Sequence, residues 1–401
     1  MKAARGFSLV ELMIAIVLGM LVTEAMTSMF ISVRSASRAT VGVASLSDGG
    51  RYALDNIEQV VRGAGNLACD STAPVSAAGV PVVRVVSALN PGATPLVSNY
   101  DQPLSGYEAL GSAPGANLVL SGTPMADHTP GDWNATPALG SALDGALVNP
   151  PVPADEAAPT GAMIAGSDVL VVHETLPGAP PAYTTTIATG TAAFSISNAA
   201  EFPGAGQIAM ISNCVQTEVF QLGSFAGGIV ALGGASAPGN SGGTLSPNID
   251  FGVGAQVAPV DTVVFYIGIG ANGDGALFKY ESRGGVLGDV YSVNQELVPD
   301  VENMQILYGV ETAISAANQS TAQYVTADQV AAKSSTGDFN GVISVKIALL
   351  VASPPATVPL GTAVYASPPA PTLLGTKWRI PADNRMRKVY EQTMFLRDMS
   401  P

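Results

Sequence analysis

Apolar positions are concentrated at one end of this 401-residue chain. Residues 7–31, FSLVELMIAIVLGMLVTEAMTSMFI, form a nearly unbroken apolar run whose only charges are Glu11 and Glu24. As a helix rising about 1.5 Å per residue it reaches ~37 Å, enough to cross a bilayer core of about 30 Å. Lys2 and Arg5 precede the run, Arg34 and Arg38 follow it, and neither Lys nor Arg lies between. The basic leader and the acidic bulk beyond the run predict an N-terminus inside and the remainder outside. Past the run, Leu54, Ile57, Val60 and Val61 recur at helical spacing in a tract starting near Arg51. They predict an amphipathic continuation whose inner face packs on the domain that follows. Gly49-Gly50 is a candidate interruption of this helix, and Gly63-x-Gly65 its expected stop.

From residue 167 onward the pattern changes to short alternating blocks separated by Gly, Asn, Asp and Pro, the signature of antiparallel strands. The expected strands are 167–174, 182–189, 206–212, 218–225, 228–232, 261–270, 276–282 and 341–353, with a final strand over 387–398. Residues 298–311 are expected to end in a strand-like half. Between residues 70 and 166 the sequence is rich in Ala, Pro, Gly and Ser. Only 80–89 and 117–122 read as strands there, so this stretch is expected to be a long insertion of loops over the domain surface.

Composition narrows the class. The chain is 47% hydrophobic with 44 Gly, long enough to bury a sizeable core. Its net charge of −14 excludes nonspecific binding to nucleic acid, which needs Lys and Arg to neutralise phosphates. Only 12% of residues are charged, which suits an exported β-rich domain better than a cytosolic enzyme. The two cysteines, Cys69 and Cys214, lie beyond the apolar run on the oxidising side. They read first as a disulfide, with two buried free thiols as the other reading.

An uncleaved signal anchor would account for the hydropathy, but a bare anchor has no reason to keep the costly carboxylate of Glu11. Gly6-Phe7-Ser8-Leu9-Val10-Glu11 resembles the class III signal of type IV pilins and type II secretion pseudopilins. That resemblance implies cleavage after Gly6, N-methylation of Phe7 and assembly of the remaining helix into a filament core. It assigns Glu11 to pairing with the amine of a neighbouring subunit, which fixes axial register. Glu24 lies on nearly the opposite face of the helix. It reads as a wetted interfacial residue or as a contact with another subunit. Major pilins often carry a helix-bending proline near Ser28; this chain has none, so a continuous helix is expected and a minor subunit is favoured.

Further blocks resemble the PilW family of minor pilins, in that family's order: Ser47 to Cys69, GSDVLVVHE at 166–174, the 208–222 block around Cys214, VENMQILYGV at 301–310, and RKVYEQTMFLRD at 387–398. The resemblance implies an α+β, type IV pilin-like fold, with a long N-terminal hydrophobic helix packed on a C-terminal antiparallel β-rich globular domain. Residues 1–6 would be the leader, 7–62 the pilin helix with its transmembrane half at 7–31, and 63–401 the head. It implies a single-pass inner-membrane prepilin handled by the prepilin peptidase and the inner-membrane assembly platform. The processed subunit would join other minor pilins and the major pilin in a complex that primes assembly, at the pilus tip. The alternatives are a large pseudopilin, or a tip adhesin whose 70–166 region binds a ligand.

No residue set points to catalysis or to a cofactor. Gly239-Asn240-Ser241-Gly242-Gly243 matches G-x-S-x-G, but its flanks offer no strand and helix for a nucleophile elbow, so a flexible turn is expected. Of the two histidines, His128 sits in a Pro/Gly loop and His173 is expected at a strand edge. Asn272-Gly273-Asp274-Gly275 lacks the remaining ligands of a calcium loop and reads as a hairpin turn. Asp300, Glu302, Asp338 and Asn340 read as surface positions.

Overall fold

The computed structural model describes residues 8–65, 84–90, 95–120, 129–136, 161–198, 202, 204–213, 216–233, 237–285, 290–311, 322–334, 337–355 and 370–396. One long helix, α1 (Leu9–Val61), is followed by a head built from strands. In chain order these are β1 (Arg84–Ser87), β2 (Leu104–Tyr107), β3 (Asn117–Val119), β4 (Val169–Thr175), β5 (Ala182–Thr186), β6 (Ala193–Ile196), β7 (Ile208–Ser212), β8 (Gln216–Gln221), β9 (Ser224–Ala226) and β10 (Ile229–Ala231). There follow β11 (Gln256–Ile269), β12 (Gly275–Ser282), β13 (Ser292–Pro299), β14 (Val301–Glu311), β15 (Ala322–Val325), β16 (Val342–Ala352), β17 (Thr372–Leu373), β18 (Thr376–Arg379) and β19 (Arg387–Phe395).

The 53 residues of α1 span ~80 Å without a break. No proline interrupts them, and the helix runs straight through Gly49-Gly50, contrary to the expected interruption. These glycines serve packing. A Cβ on Gly50 would stand 2.4 Å from the Tyr390 ring, and one on Gly49 would meet Val298 at 3.4 Å. Their missing side chains therefore form a notch that receives β19 and β13. At the far end Gly65 adopts φ 74°, and its N–H donates to the His173 carbonyl at 3.2 Å, tying the helix exit to β4.

Strand β11 organises the head. Thirteen of its 14 residues are buried, so it reads as a continuous apolar run rather than an alternating one. Gln256–Pro259 pairs with β7, whereas Val260–Phe265 pairs with β4 and Thr262–Ile269 with β12. One strand thus joins a β1-β8-β7 edge to a β2-β4-β11-β12-β13 layer. Proline in a strand reads as a breaker, which is why the sequence pattern starts this strand late. A second sheet, in the order β15-β14-β16-β19, faces that layer. Between them lies the main core, where Leu46, Ala53, Leu54, Ile57 and Val61 of α1 join Phe265, Ile267, Val298, Met304, Ile347 and Met394. A small third sheet, β17-β18-β3, covers the outer face of β16 through Trp378 and Leu373.

Three expectations need correction. Over its described parts, the 70–166 stretch supplies β1 and β3, inside the expected 80–89 and 117–122, but also the unexpected β2, and it buries Tyr100, Tyr107 and Trp133 rather than lying wholly as loops over the surface. Two of its pairings, β1 with β8 and β3 with β18, are parallel within an otherwise antiparallel fold. Residues 298–311 belong to two strands, with Asp300 at φ 62° turning the chain between them.

Gly50→Val should therefore force the Tyr390 ring out of its seat. A loss of about 1–3 kcal/mol is expected from overpacking, read as a lower denaturant midpoint. Adding Tyr390→Ala should make the valine less costly than it is alone.

Candidate functional site

The helix divides at Gly42. Toward the head, Gly42, Leu46, Gly50 and the apolar positions to Val61 are buried. Toward the N-terminus, every residue from Ser8 to Arg34 is exposed, among them Leu9, Ile14, Leu18, Leu21, Met26 and Phe30. A window of mean hydropathy 2.1 falls in this part with none of it covered by the head. Exposed apolar surface on this scale is unstable in water and calls for lipid or protein around it. By length and composition the helix can cross a membrane.

Glu11 occupies the third position of the helix and completes a capping box. The Ser8 N–H donates to Glu11 Oε2 at 3.0 Å, and the Glu11 N–H donates to Ser8 Oγ at 3.2 Å. The carboxylate thus satisfies a free N–H beside the positive end of the helix dipole. Sequence reasoning passed over Ser8, although S-x-x-E ahead of an apolar run is its written signal. Gly6 and Phe7 lie outside the described residues, as do Cys69, Cys214 and His128.

The mount of the helix is held by charge as well as apolar contact. Arg385 bonds Asp300 at 2.6 Å and Asp274 at 3.1 Å, and its Nε donates to the Ser353 carbonyl at 2.7 Å. Arg387 grips Glu302 with two nitrogens at 2.6 and 2.8 Å and also reaches Asp383. Both guanidinium groups are buried. They weld the 272–275 hairpin turn to the β13–β14 bend and to the start of β19. Asp300 and Glu302, expected as surface acids, are instead partnered at this joint, because each sits under an arginine that the sequence places some 85 positions away. Asp338 accepts from the Asn340 N–H at 3.0 Å and closes a local turn.

Two further groups of acids are buried. Asp168 accepts from the Ala109 N–H at 2.9 Å and the Ile306 N–H at 2.7 Å, while the Ser112 hydroxyl lies 3.1 Å from Glu108. Burial and the Asp168 charge push Glu108 far above the usual carboxylate range, and burial raises Asp168 as well. Near the helix exit, Glu174 and Asp261 are cross-strand neighbours, and Glu174 Oε2 lies where a Cβ on Gly63 would fall. Burial first, then mutual repulsion, lifts Glu174 to about 8. Burial and the Glu281 charge, opposed by Arg283, lift Asp261 to about 7.

His173 is buried inside β4, not at a strand edge. Its Nδ1 lies 2.9 Å from Thr262 Oγ1, its ring leans on Tyr100, and burial lowers it to about 3, so it is neutral. The expected flexible turn at 239–243 is pinned, since Asn240 Nδ2 donates to the carbonyls of Gln221 and Leu232. Among the described residues no three His, Cys, Asp or Glu side chains converge on a metal position.

The raised carboxyls set a pH dependence. The folded head holds protons that the unfolded chain releases near pH 4, so the contribution of these carboxyls to stability is full below that point. It falls as pH rises through the folded values, which for Asp261 and Glu174 are about 7 and 8. The melting temperature should therefore drop between pH 5 and pH 9, and Glu108→Gln should flatten the slope.

Residues 264–398 match the family model described as type IV pilus-assembly protein W, and residues 1–23 match the prokaryotic N-terminal methylation motif. Neither a curated protein nor a solved structure matches the chain. The first match spans the last six residues of β11 and all of β12 to β19, which hold the helix and both buried arginines; the second covers the start of the exposed helix. The strands that hold the helix are thus similar to the type IV pilus-assembly protein W family, and the start of the exposed apolar helix to the prokaryotic N-terminal methylation motif.

Proposed function

We propose that the protein is a structural subunit of the type IV pilus, made as a prepilin and incorporated with other minor pilins in a complex that primes assembly at the tip. Residues 1–6 are the leader, removed after Gly6, and Phe7 is then N-methylated. Residues 7–31 hold the prepilin in the inner membrane, N-terminus inside, until the assembly platform transfers it to the filament. Cys69 and Cys214 form a disulfide within the head, residues 63–401. The observation that carries this reading is the unbroken helix, bare and apolar over one half and rigidly mounted over the other. Such a shape gives the subunit a fixed axis along which helices can be bundled.

Glu11 then has two successive duties. In the single chain it caps the helix; in the filament its charge offsets the amine of a neighbouring Phe7, in surroundings where either charge alone would be costly. The two are separable, because glutamine also completes a capping box. Glu11→Gln should insert in the membrane normally and fall at least tenfold in sheared filaments, while Ser8→Ala is recovered like the unchanged protein. Wild-type recovery of Glu11→Gln would contradict the assembly role.

A further inference from the structure

An open sheet ends in edge strands, and an unpaired edge offers a row of free N–H and C=O groups to any extended chain. Most edges of this head are blunted. Among the described strands, β1 and β15 have four residues, β3 and β9 three, and β17 two. Strand β2 is buried in all four positions, and the pairing of β12 with β13 is broken by a register shift at Leu277/Phe278. Strand β19 has none of these protections. Its nine residues contain no proline and pair with β16 in unbroken register, from Arg387 opposite Ala352 to Phe395 opposite Ser344. No described strand pairs with its other side.

Hydrogen bonds just beyond the two ends of β19 fix which of its backbone groups are free. The Leu396 N–H donates to the Ile343 carbonyl at 3.0 Å, and the Met386 carbonyl accepts from the Ser353 N–H at 2.8 Å. Even-numbered positions therefore turn their backbone groups to β16. The odd-numbered ones, Val389, Glu391, Thr393 and Phe395, turn theirs outward.

The side chains along that edge carry a pattern of their own. Glu391, Thr393 and Phe395 are exposed on one face of the strand, Phe395 by 69%. On the β16 side Phe395 faces Ser344 and Glu391 faces Ala348, so neither ring nor carboxylate meets a complementary cross-strand partner. The opposite face is already committed. Tyr390 sits against Gly50, Gln392 bonds Glu58, and Met394 enters the main core. The edge is thus held in place before anything joins it.

We infer that the free edge of β19 docks an extended segment of a different pilus subunit, which joins the β15-β14-β16-β19 sheet as an added strand. Backbone pairing supplies the attachment, and two side chains supply the choice of partner. The residue set against Phe395 is apolar, and the residue set against Glu391, four positions away, is Lys or Arg. The neighbour is thereby tied to the same strand that seats α1. The inference rests on the filament reading above for the source of the segment, but not on a position at the tip.

The test uses full-length protein in sheared filaments, with benzoylphenylalanine replacing Phe395 as a photo-crosslinker. The expected product joins position 395 to another pilus subunit, and the linked peptide carries Lys or Arg four residues from the linked position. Thr393→Pro should reduce the product at least tenfold, because it removes an outward N–H and leaves the ladder to β16 intact. Thr393→Ala should leave it unchanged. Glu391→Arg, on an exposed side chain, should match the proline's effect without lowering the melting temperature, and reversing the charge on the linked segment should restore the product. A product indifferent to both Thr393→Pro and Glu391→Arg would overturn this contact alone. So would one that joins two copies of this chain or a protein foreign to the pilus, or no product from filaments that contain the protein. Absence of the protein from the filaments would overturn the filament reading and the partner assigned here with it.

Discussion

The apolar seam in which Leu46, Ala53, Leu54, Ile57 and Val61 meet the strands of both facing sheets decides where α1 leaves the head and at what angle. A helix of this length has no tertiary support along its first half, so its direction is inherited from the half that is packed. Burying five such side chains contributes several kcal/mol at about 25 cal/mol per Å² of apolar surface. The seam also depends on shape. Gly50 admits the Tyr390 ring, Gly63 admits Glu174, and Gln392 of β19 bonds Glu58 on the helix. Without these close approaches the helix would stand off the strands, and the exposed half would lose its fixed axis.

Charge completes what the apolar seam begins. The buried arginines 385 and 387 bind four carboxylates drawn from three separate chain segments, holding the turns at one end of the mount together. Breaking such a buried pair by removing one partner is costly, on the order of 3–5 kcal/mol, because the other charge stays behind. The protonated acids at Glu108, Asp168, Glu174 and Asp261 act differently: they let polar side chains cap strand edges and crowd the helix exit, provided the pH keeps them neutral. The head is thus best held under mildly acidic conditions.

Much of this was legible in the sequence because its cause is local. The apolar run and the missing proline prescribe one continuous helix, and period-two blocks prescribe most strands to within a few residues. The Ser8 and Glu11 spacing prescribes a cap, though it takes reading for caps to see it. What stayed hidden depends on distant partners. Gly49-Gly50 looks like a break until Tyr390, 340 positions on, is seen to occupy the notch. Asp300 and Glu302 look like surface acids until their arginines arrive, and His173 looks peripheral until β2 and β11 flank it. Pro259 and Asp300 each disguise strand boundaries, one by lacking an N–H within a strand and the other by turning the chain at positive φ. In the 70–166 stretch β1 and β3 fall within the expected 80–89 and 117–122, whereas β2, four residues long and buried throughout, is too short and too uniform for alternation to declare it.

The central claim is that the bare half of α1 is the working part of a processed filament subunit. The most direct test is the mass of the N-terminal peptide of protein recovered from sheared pili. The account predicts a chain that begins at Phe7 and carries one added methyl group on its amine. A peptide that still begins at Met1, or an N-terminus created beyond Glu11, would contradict it.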